Sequence, residues 1–298
     1  MDKLLLEKGY RIRTLPNLAM ENKKKRINIS SAISKYNDNI YLELQDRWNN
    51  WKIDLSKKEI YELVGGILSR QVTILTQYAT SLNFWNGDVA PIILRSLADN
   101  YINLAWILKK PEDRAKKFIL YGLGQAKLNL EHRKQQMERD GLDPSNDPLI
   151  EATQKWIDGQ RYTFLTEVNL GSWSEMNTRT MAEEAGCIDF YNYVYQPFSS
   201  ACHNMWNHIS RYNLIYSDNP LHMLLLKPIV ERIPPEVEYL ELGAKYLAKM
   251  FDLFDNTFNY KSSIRSSIVI LKEELSRIES EIKDQKMSEQ GESDSQDT

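Results

Sequence analysis

The sequence predicts an all-α protein, a single multi-helix domain with a long kinked central helix and a heptad-patterned helix near the C-terminus. Apolar residues recur at steps of three and four through most of the 298 residues. Only 12 glycines and 10 prolines interrupt this pattern, too few for a turn-rich all-β protein. No stretch alternates apolar and polar residues between hairpin turns, so we predict no strand.

Composition and charge define the broad class of protein. With 27% charged and 42% hydrophobic residues, the chain resembles ordinary globular proteins and not disordered or collagen-like ones. The formal net charge of −3 gives no general affinity for nucleic acid, although a local basic patch would still allow it. Two cysteines, Cys187 and Cys202, are too few for a disulfide framework or a multi-cysteine zinc site. We therefore expect a cytoplasmic protein with no metal and no cofactor.

Signal peptides and membrane spans are not predicted. The apolar run at residues 4–6 is shorter than the ~7 apolar residues that a signal peptide needs. Two nearly uncharged stretches, 71–94 and 190–210, are long enough to be mistaken for spans, but both carry many amide and hydroxyl side chains. We interpret them as helices buried within protein, and we expect no membrane partner.

Helix signals follow one another from residue 56 onward. Ser56 and Glu59 have the spacing of a capping box, and apolar residues continue behind it at helical spacing to residue 78. Asp88 is predicted to start the next helix. Pro111 suits the first turn of a third helix, which Gly141 is predicted to end.

Two shorter helices are predicted in the middle of the chain. Asp147 and Pro148 form a typical helix start, and the helical pattern behind them continues to about residue 165. A short helix begins at Thr178 and ends before Gly186.

The central helix is predicted at 189–216. Pro197 lies inside it and lacks a backbone N–H, so we expect a kink there. Pro234 and Pro235 then break the chain, and a late helix rich in Leu, Tyr and Phe covers 236–259.

The C-terminal region carries a heptad seam with six members: Ile264, Ile268, Leu271, Leu275, Ile278 and Ile282. Such a narrow apolar stripe is typical of a helix that packs on one partner helix. One interpretation is packing on its own domain, and the other is pairing with a second copy, which predicts a homodimer. We thus divide the chain into an N-terminal segment, a main domain, the heptad helix and a disordered acidic tail: 1–54, 55–260, 261–283 and 284–298.

The familiar catalytic motifs are absent from the sequence. It contains no P-loop, no dinucleotide-binding glycine motif after a strand, no H-E-x-x-H, no G-x-S-x-G and no C-x-x-C. Chemistry-bearing residues instead fall on two predicted helices. On the first, Arg95 and Asp99 are four residues apart, and Trp106 continues their face. On the central helix, one face carries Tyr195, Ser199, His203 and Trp206.

Three interpretations of these residues are open. A buried arginine–acid pair needs partners for its remaining donors, and Tyr, Ser and His side chains supply acceptors, so the groups can form a polar network that fixes helix register. The same groups can form a catalytic centre. The third interpretation is a pocket for a small ligand, lined by Trp106, Trp206, Tyr195 and Tyr101.

Two segments resemble a bacterial family known as domain of unknown function 5677. The first is the arginine-plus-acid helix at 94–108, where the family typically has Glu four residues after the arginine and this chain has Asp99. The second comprises 173–177, 181–186 and the pattern Tyr-x-x-x-Ser-x-x-x-His that ends at His203. The resemblance covers about residues 60–215. It implies an all-helical fold and no established activity.

By analogy of fold, this family is similar to the HEPN group of helical nucleotide-binding proteins and ribonucleases. Those ribonucleases work without metal through a histidine and an arginine, often at a dimer interface. Their usual linear signature, Arg followed by His after four to six residues, is absent from this sequence. The paired stripes on the two helices suggest, as a hypothesis, a rearranged centre with Arg95 as phosphate clamp, His203 as general acid or base and Asp99 as orienting group. Tyr195 and Ser199 would hydrogen-bond phosphate or ribose.

The resulting hypothesis is an RNA-cleaving or RNA-binding protein of a bacterial defence or toxin–antitoxin system. As an enzyme it would be a metal-independent ribonuclease. The alternative is a non-catalytic dimeric adaptor or sensor in which the cluster of Arg95, Asp99 and His203 is structural. Removing Arg95 separates the two, because loss of one partner of a buried ion pair is strongly destabilising.

Overall fold

The computed structural model describes residues 23–160, 173–230 and 233–294. Within these ranges the chain is helical apart from one small hairpin, which confirms the predicted all-α class. The helices are α1 (Lys23–Asn50), α2 (Lys58–Thr80), α3 (Ala90–Ile107), α4 (Pro111–Arg139), α5 (Pro148–Asp158), α6 (Thr178–Ala185), α7 (Gln196–Cys202), α8 (Trp206–Tyr212), α9 (Val237–Phe258) and α10 (Ser267–Asp294). The strands are β1 (Leu214–Tyr216) and β2 (Leu226–Pro228). None of the described helices is long and apolar enough to cross a membrane.

The helices group into two compact units that interleave along the chain. The described part of the first unit comprises residues 23–51, 67–101, 189–230 and 233–294, and that of the second comprises 52–66, 102–160 and 173–188. The predicted segment boundaries at residues 54 and 260 stay predictions.

Several helix ends form where the sequence predicts them. Pro111 occupies the first turn of α4, and Gly141 follows that helix with a left-handed φ of 72°. The Asp147 side chain caps α5 by accepting a hydrogen bond from the N–H of Ile150 at 2.8 Å. Gly186, with a φ of 74°, ends α6. The helix predicted to reach about residue 165 ends earlier, at Asp158, where the N–H of Gly159 bonds back to the carbonyl of Lys155 at 3.1 Å.

Two predicted helix starts differ in the group that supplies the cap. Asp54 caps the turn that precedes α2, and its carboxylate accepts from the N–H and the hydroxyl of Ser56 at 3.0 and 2.6 Å. Asn86, and not Asp88, opens α3: its side-chain oxygen accepts from the N–H groups of Asp88 and Val89, at 3.0 and 2.9 Å. In both places an Asp or Asn just before the predicted cap accepts the hydrogen bonds from the free N–H groups.

The predicted long helix at 189–216 is broken into shorter pieces. A π-helical segment, Tyr191–Tyr195, precedes α7, and the N–H of Gln196 bonds back to the carbonyl of Tyr191. Pro197 has no N–H for the carbonyl four residues earlier, and wider helical turns are a common response to such a gap. The helix then stops, because Asn204 takes a left-handed φ of 49°, and α8 starts in a new direction.

A hairpin that the sequence did not predict follows α8. Strand β1 pairs antiparallel with β2, with Ile215 opposite Lys227. Each strand has three residues, which is too short for alternation of apolar and polar side chains to be detected.

The core of the first unit brings α9 close to α2. Gly243 on α9 makes this approach possible, since a Cβ at this position would lie 2.7 Å from Cδ1 of Leu75. Trp85 is buried in the same unit and donates its indole N–H to the carbonyl of Tyr78 at 3.0 Å.

The heptad seam of α10 packs within its own chain. Leu271, Leu275, Ile278 and Ile282 are buried, and α10 packs against α1 and α9. The N-terminus of α10 is fixed by buried Glu43 of α1, whose carboxylate accepts from the N–H of Ser267 at 2.8 Å. This is the own-domain interpretation, and a homodimer through α10 stays a prediction.

Helix α10 is longer than predicted. Residues from 284 onward, which we expected to begin a disordered tail, are helical to Asp294. Lys, Gln, Met and Glu in this stretch are good helix formers, although they lack an apolar stripe.

Asp46 ties α1 to the loop that precedes α10. Its carboxylate accepts hydrogen bonds from the hydroxyls of Tyr260, Ser262 and Ser263, at 2.7, 2.7 and 2.9 Å. Burial opposes ionisation of Asp46, but these hydrogen bonds outweigh it and lower the pKa to about 2.

Candidate functional site

The candidate site is built around Arg95 of α3, a side chain in the first unit. Arg95 is 9% exposed, and its guanidinium carbon lies 3.1 Å from the centroid of the Tyr195 ring. Its Nε donates to the hydroxyl of Ser199 at 3.0 Å, and its Nη1 donates to the carboxylate of Asp99. The sequence-predicted partners Asp99, Tyr195 and Ser199 therefore do meet at Arg95.

Local helix geometry explains why these groups converge. Arg95 and Asp99 are one turn apart on α3, which brings the two side chains together on one face. Tyr195 ends the π-helical segment and Ser199 lies on α7, so both project from neighbouring turns. The Ser199 hydroxyl also donates to the Tyr195 carbonyl at 3.0 Å, which fixes its orientation as acceptor for Arg95.

Asp99 lies at the open side of the cluster. Its side chain is 40% exposed, whereas the side chain of Arg95 is 11% exposed. Partial burial raises the pKa of Asp99 above its ordinary value, against the opposing effects of the Arg95 charge and of hydrogen bonds from Arg95 and Tyr195.

Arg95 retains hydrogen-bonding capacity after these contacts. Within the described part of the chain, no group accepts a hydrogen bond from its Nη2. A planar guanidinium that is held by an aromatic ring and by Nε still presents N–H donors along its outer edge. Such an edge suits an oxyanion such as phosphate.

His203 lies at the rim of this cluster. It caps the C-terminus of α7, and its backbone N–H donates to the carbonyl of Ser199 at 3.0 Å. Its side chain is exposed, and no described residue forms a hydrogen bond or ion pair with the imidazole. His203 is four residues after Ser199, a spacing that brings the Cβ atoms of two helical residues to about 5–6 Å, and no hydrogen bond joins its imidazole to Arg95 among the described residues.

The two predicted tryptophans lie in different surroundings. Trp206, the first residue of α8, is 66% exposed in the first unit. Trp106 belongs to the second unit and is 3% exposed. There its indole N–H donates to Glu184 at 2.7 Å, and the guanidinium of Arg114 lies 3.5 Å from its ring centroid. A role of Trp106 in binding stays a prediction.

The region that contains the Arg95 cluster matches the sequence profile of a protein family. The profile of DUF5677, described as a family of unknown function, matches residues 61–220, which is more than half of the chain. The chain belongs to the DUF5677 family. No curated protein and no solved structure shows significant similarity to it. The matched range contains the whole Arg95 cluster, from α3 to the end of α7.

Cys202 is a site residue that sequence reasoning missed in this DUF5677 member. Its side chain is close enough to Arg95 and Asp99 for both charges to affect it. Partial burial raises the pKa of the Cys202 thiol, Arg95 opposes that rise and Asp99 adds to it. Its spacing three after Ser199 and seven after Tyr195 was the available signal, since these steps place all three on one helix face.

Among the described residues, no group of three or more His, Cys, Asp and Glu side chains could hold a metal ion. His208, five residues after His203, is engaged elsewhere: its Nε2 lies 3.2 Å from the carbonyl oxygen of Gly87. The chemistry available at the Arg95 cluster is therefore that of the guanidinium, the Asp99 carboxyl, the thiol of Cys202 and the exposed imidazole.

Proposed function

We propose that this DUF5677 protein acts on RNA at the Arg95 cluster, as a metal-independent ribonuclease. The observation that carries the proposal is the unengaged Nη2 edge of a guanidinium that Tyr195 and Ser199 hold in place. A fixed, planar donor pair is preorganised for a phosphodiester and loses little entropy on binding.

The reaction that suits these groups is transesterification within RNA. The 2′-oxygen forms a bond to the adjacent phosphorus, and the bond from phosphorus to the 5′-oxygen breaks. The neutral imidazole of His203 takes the 2′-hydroxyl proton, and the leaving 5′-oxygen takes a proton from water or from the resulting imidazolium. The products are a 2′,3′-cyclic phosphate and a free 5′-hydroxyl, so no oxidant, metal or water enters the bond-forming step.

Each group has a role that follows from its position. Arg95 binds the phosphate and stabilises the charge on its oxygens in the transition state. Asp99 orients Arg95 through its hydrogen bond. His203 is exposed and has no described partner, so its imidazole can reach a bound ribose by side-chain rotation.

The substrate itself provides the sharpest test. The purified full-length chain is incubated in EDTA with a labelled single-stranded RNA, with DNA of the same sequence, and with RNA methylated at every 2′-oxygen. The proposal predicts that only unmodified RNA is cut and that the products end in 2′,3′-cyclic phosphate. Equal cleavage of the DNA, or no cleavage of any strand, would contradict it.

A second candidate function is favoured by the burial of Arg95. A side chain that is 9% exposed and bonded to three residues of its own unit also suits a network that only fixes helix register. The protein would then be a non-catalytic dimeric adaptor or sensor. That function predicts no cleavage of RNA by the folded wild-type chain.

A further inference from the structure

The hairpin after α8 displays an unusual density of exposed apolar side chains. Leu221, Met223 and Leu224 in its loop are 88%, 85% and 82% exposed, and Val230 beyond β2 is fully exposed. We define the hairpin patch as the seven large apolar residues that are exposed between 214 and 230: Ile215, Tyr216, Leu221, Met223, Leu224, Leu225 and Val230. Monomeric proteins rarely leave so many in one short segment.

The loop that carries these side chains is ordered by hydrogen bonds. The N–H of Ser217 donates to the carbonyl of Leu225 at 2.8 Å, which closes the hairpin. Within the loop, the N–H of Leu221 donates to the side chain of Asn219 at 3.0 Å, and the N–H of Leu225 donates to the carbonyl of His222 at 2.9 Å. The apolar side chains are therefore presented outward by a defined backbone.

The charge of the segment restricts the kind of partner. Apart from His222, the segment 214–230 contains one acidic and one basic residue, Asp218 and Lys227. These two form an ion pair with each other. Binding to nucleic acid or to an anionic lipid surface calls for an excess of lysine and arginine. The hairpin patch has no such excess of basic residues, so the surface of its partner is expected to be apolar and uncharged.

We infer that the partner is a second copy of this chain, and that two hairpin patches pack against each other across a two-fold axis. An isolated two-stranded hairpin is marginally stable in water and gains from a third and fourth strand or from a packed face. Each of the seven side chains is at least 42% exposed, and a set of large apolar side chains of this kind is what a stable interface of roughly 800 Å² per partner buries.

Pairing through the hairpin patch also agrees with the burial of the other candidate interface, the apolar seam of α10. Four of the six seam residues, Leu271, Leu275, Ile278 and Ile282, are already buried within the chain, so they are not available to a second copy. A two-fold pairing needs a surface that is complementary to itself, and an apolar patch whose two charges cancel meets that condition. The inference does not depend on the proposed action on RNA.

The test measures the mass of the full-length chain by light scattering and sedimentation at micromolar concentration. The wild-type chain is expected to be a dimer. In the double variant Leu221→Lys, Met223→Lys, two charges would be buried in the interface, so the dissociation constant is expected to rise by more than about 100-fold. The control is Leu142→Lys, Leu149→Lys, whose positions are 57% and 56% exposed outside the patch, and it should remain a dimer.

A charge-swap experiment separates self-pairing from a general solubility effect. The variant Leu221→Glu, Met223→Glu should also be monomeric alone, and an equimolar mixture with the lysine variant should form the dimer again. Far-ultraviolet circular dichroism confirms that each variant is folded. A monomeric wild-type chain, a lysine variant that stays dimeric, or a mixture that stays monomeric would each overturn the inference.

Discussion

The guanidinium carbon of Arg95 lies 3.1 Å from the centroid of the Tyr195 ring, although Tyr195 is one hundred residues further along the chain. This contact joins α3 to the end of the π-helical segment, and the bond from Nε to Ser199 extends it into α7. The same stacking that stabilises the first unit also fixes the donor edge that we propose for phosphate binding.

Replacing Arg95 should weaken the fold as well as the site. Arg95→Ala removes the cation–π contact with Tyr195, the hydrogen bond to Ser199 and the ion pair with Asp99, so we expect the free energy of unfolding to fall by about 3 kcal/mol. Urea denaturation followed by circular dichroism measures this change.

Arg70 supplies the matched control for that measurement. It is an exposed arginine on α2 without a partner among the described residues, and Arg70→Ala should change the free energy of unfolding by less than about 0.5 kcal/mol. If Arg95→Ala proved as mild as Arg70→Ala, the Arg95 cluster would not be a structural link between α3 and α7.

The acid dependence of stability should reflect Asp46. Its folded-state pKa of about 2 lies below the ordinary value of a free aspartate. A lowered carboxyl pKa contributes stability that is present above the unfolded-state pKa, near 4, and is lost as the pH falls through the folded-state value.

The variant Asp46→Asn isolates this contribution. At pH 7 it should lower the free energy of unfolding by about 2 kcal/mol, since hydrogen bonds to a charged group are lost. The difference from the wild-type chain should shrink between pH 4 and pH 2. Denaturation curves at several pH values measure it, and a difference that stays constant over that window would contradict the assignment.

The seam of α10 should behave as part of the core. Leu271 is fully buried, so Leu271→Ala should lower the free energy of unfolding by about 2–5 kcal/mol without changing the oligomeric state. Its neighbour Lys272 is exposed, and Lys272→Ala should have little effect. A Leu271→Ala chain that kept its stability but lost self-association would instead support pairing of two copies through α10.

Much of the helical framework was predictable because its signals are local. Pro111, Gly141, Asp147 and Gly186 act through backbone conformation or a single side-chain cap, so each end could be assigned from a few residues. The convergence of Arg95 with Tyr195 and Ser199 was also predictable in part, since helical spacing places their side chains on two facing stripes.

The features that the sequence did not predict depend on the backbone between these local helix signals. Pro197 suggested a kink, whereas the chain forms π-helical turns before it and the helix ends just before Asn204, which has a left-handed φ. The hairpin has strands of three residues, too few for a periodic pattern. The α10 seam was open to two interpretations, because its packing on the same chain depends on contacts with α1, more than 200 residues away, which no local pattern encodes.

The most direct test of the proposed function compares two exposed histidines in the RNA-cleavage assay. His203 and His132 both lack a described side-chain partner, so neither substitution by alanine should alter the free energy of unfolding by more than about 0.5 kcal/mol. We predict that His203→Ala lowers the rate of RNA cleavage by about 100-fold or more, while His132→Ala keeps the wild-type rate. A folded His203→Ala chain that cleaves RNA at the wild-type rate would contradict the proposed role of His203 and, with it, the catalytic centre.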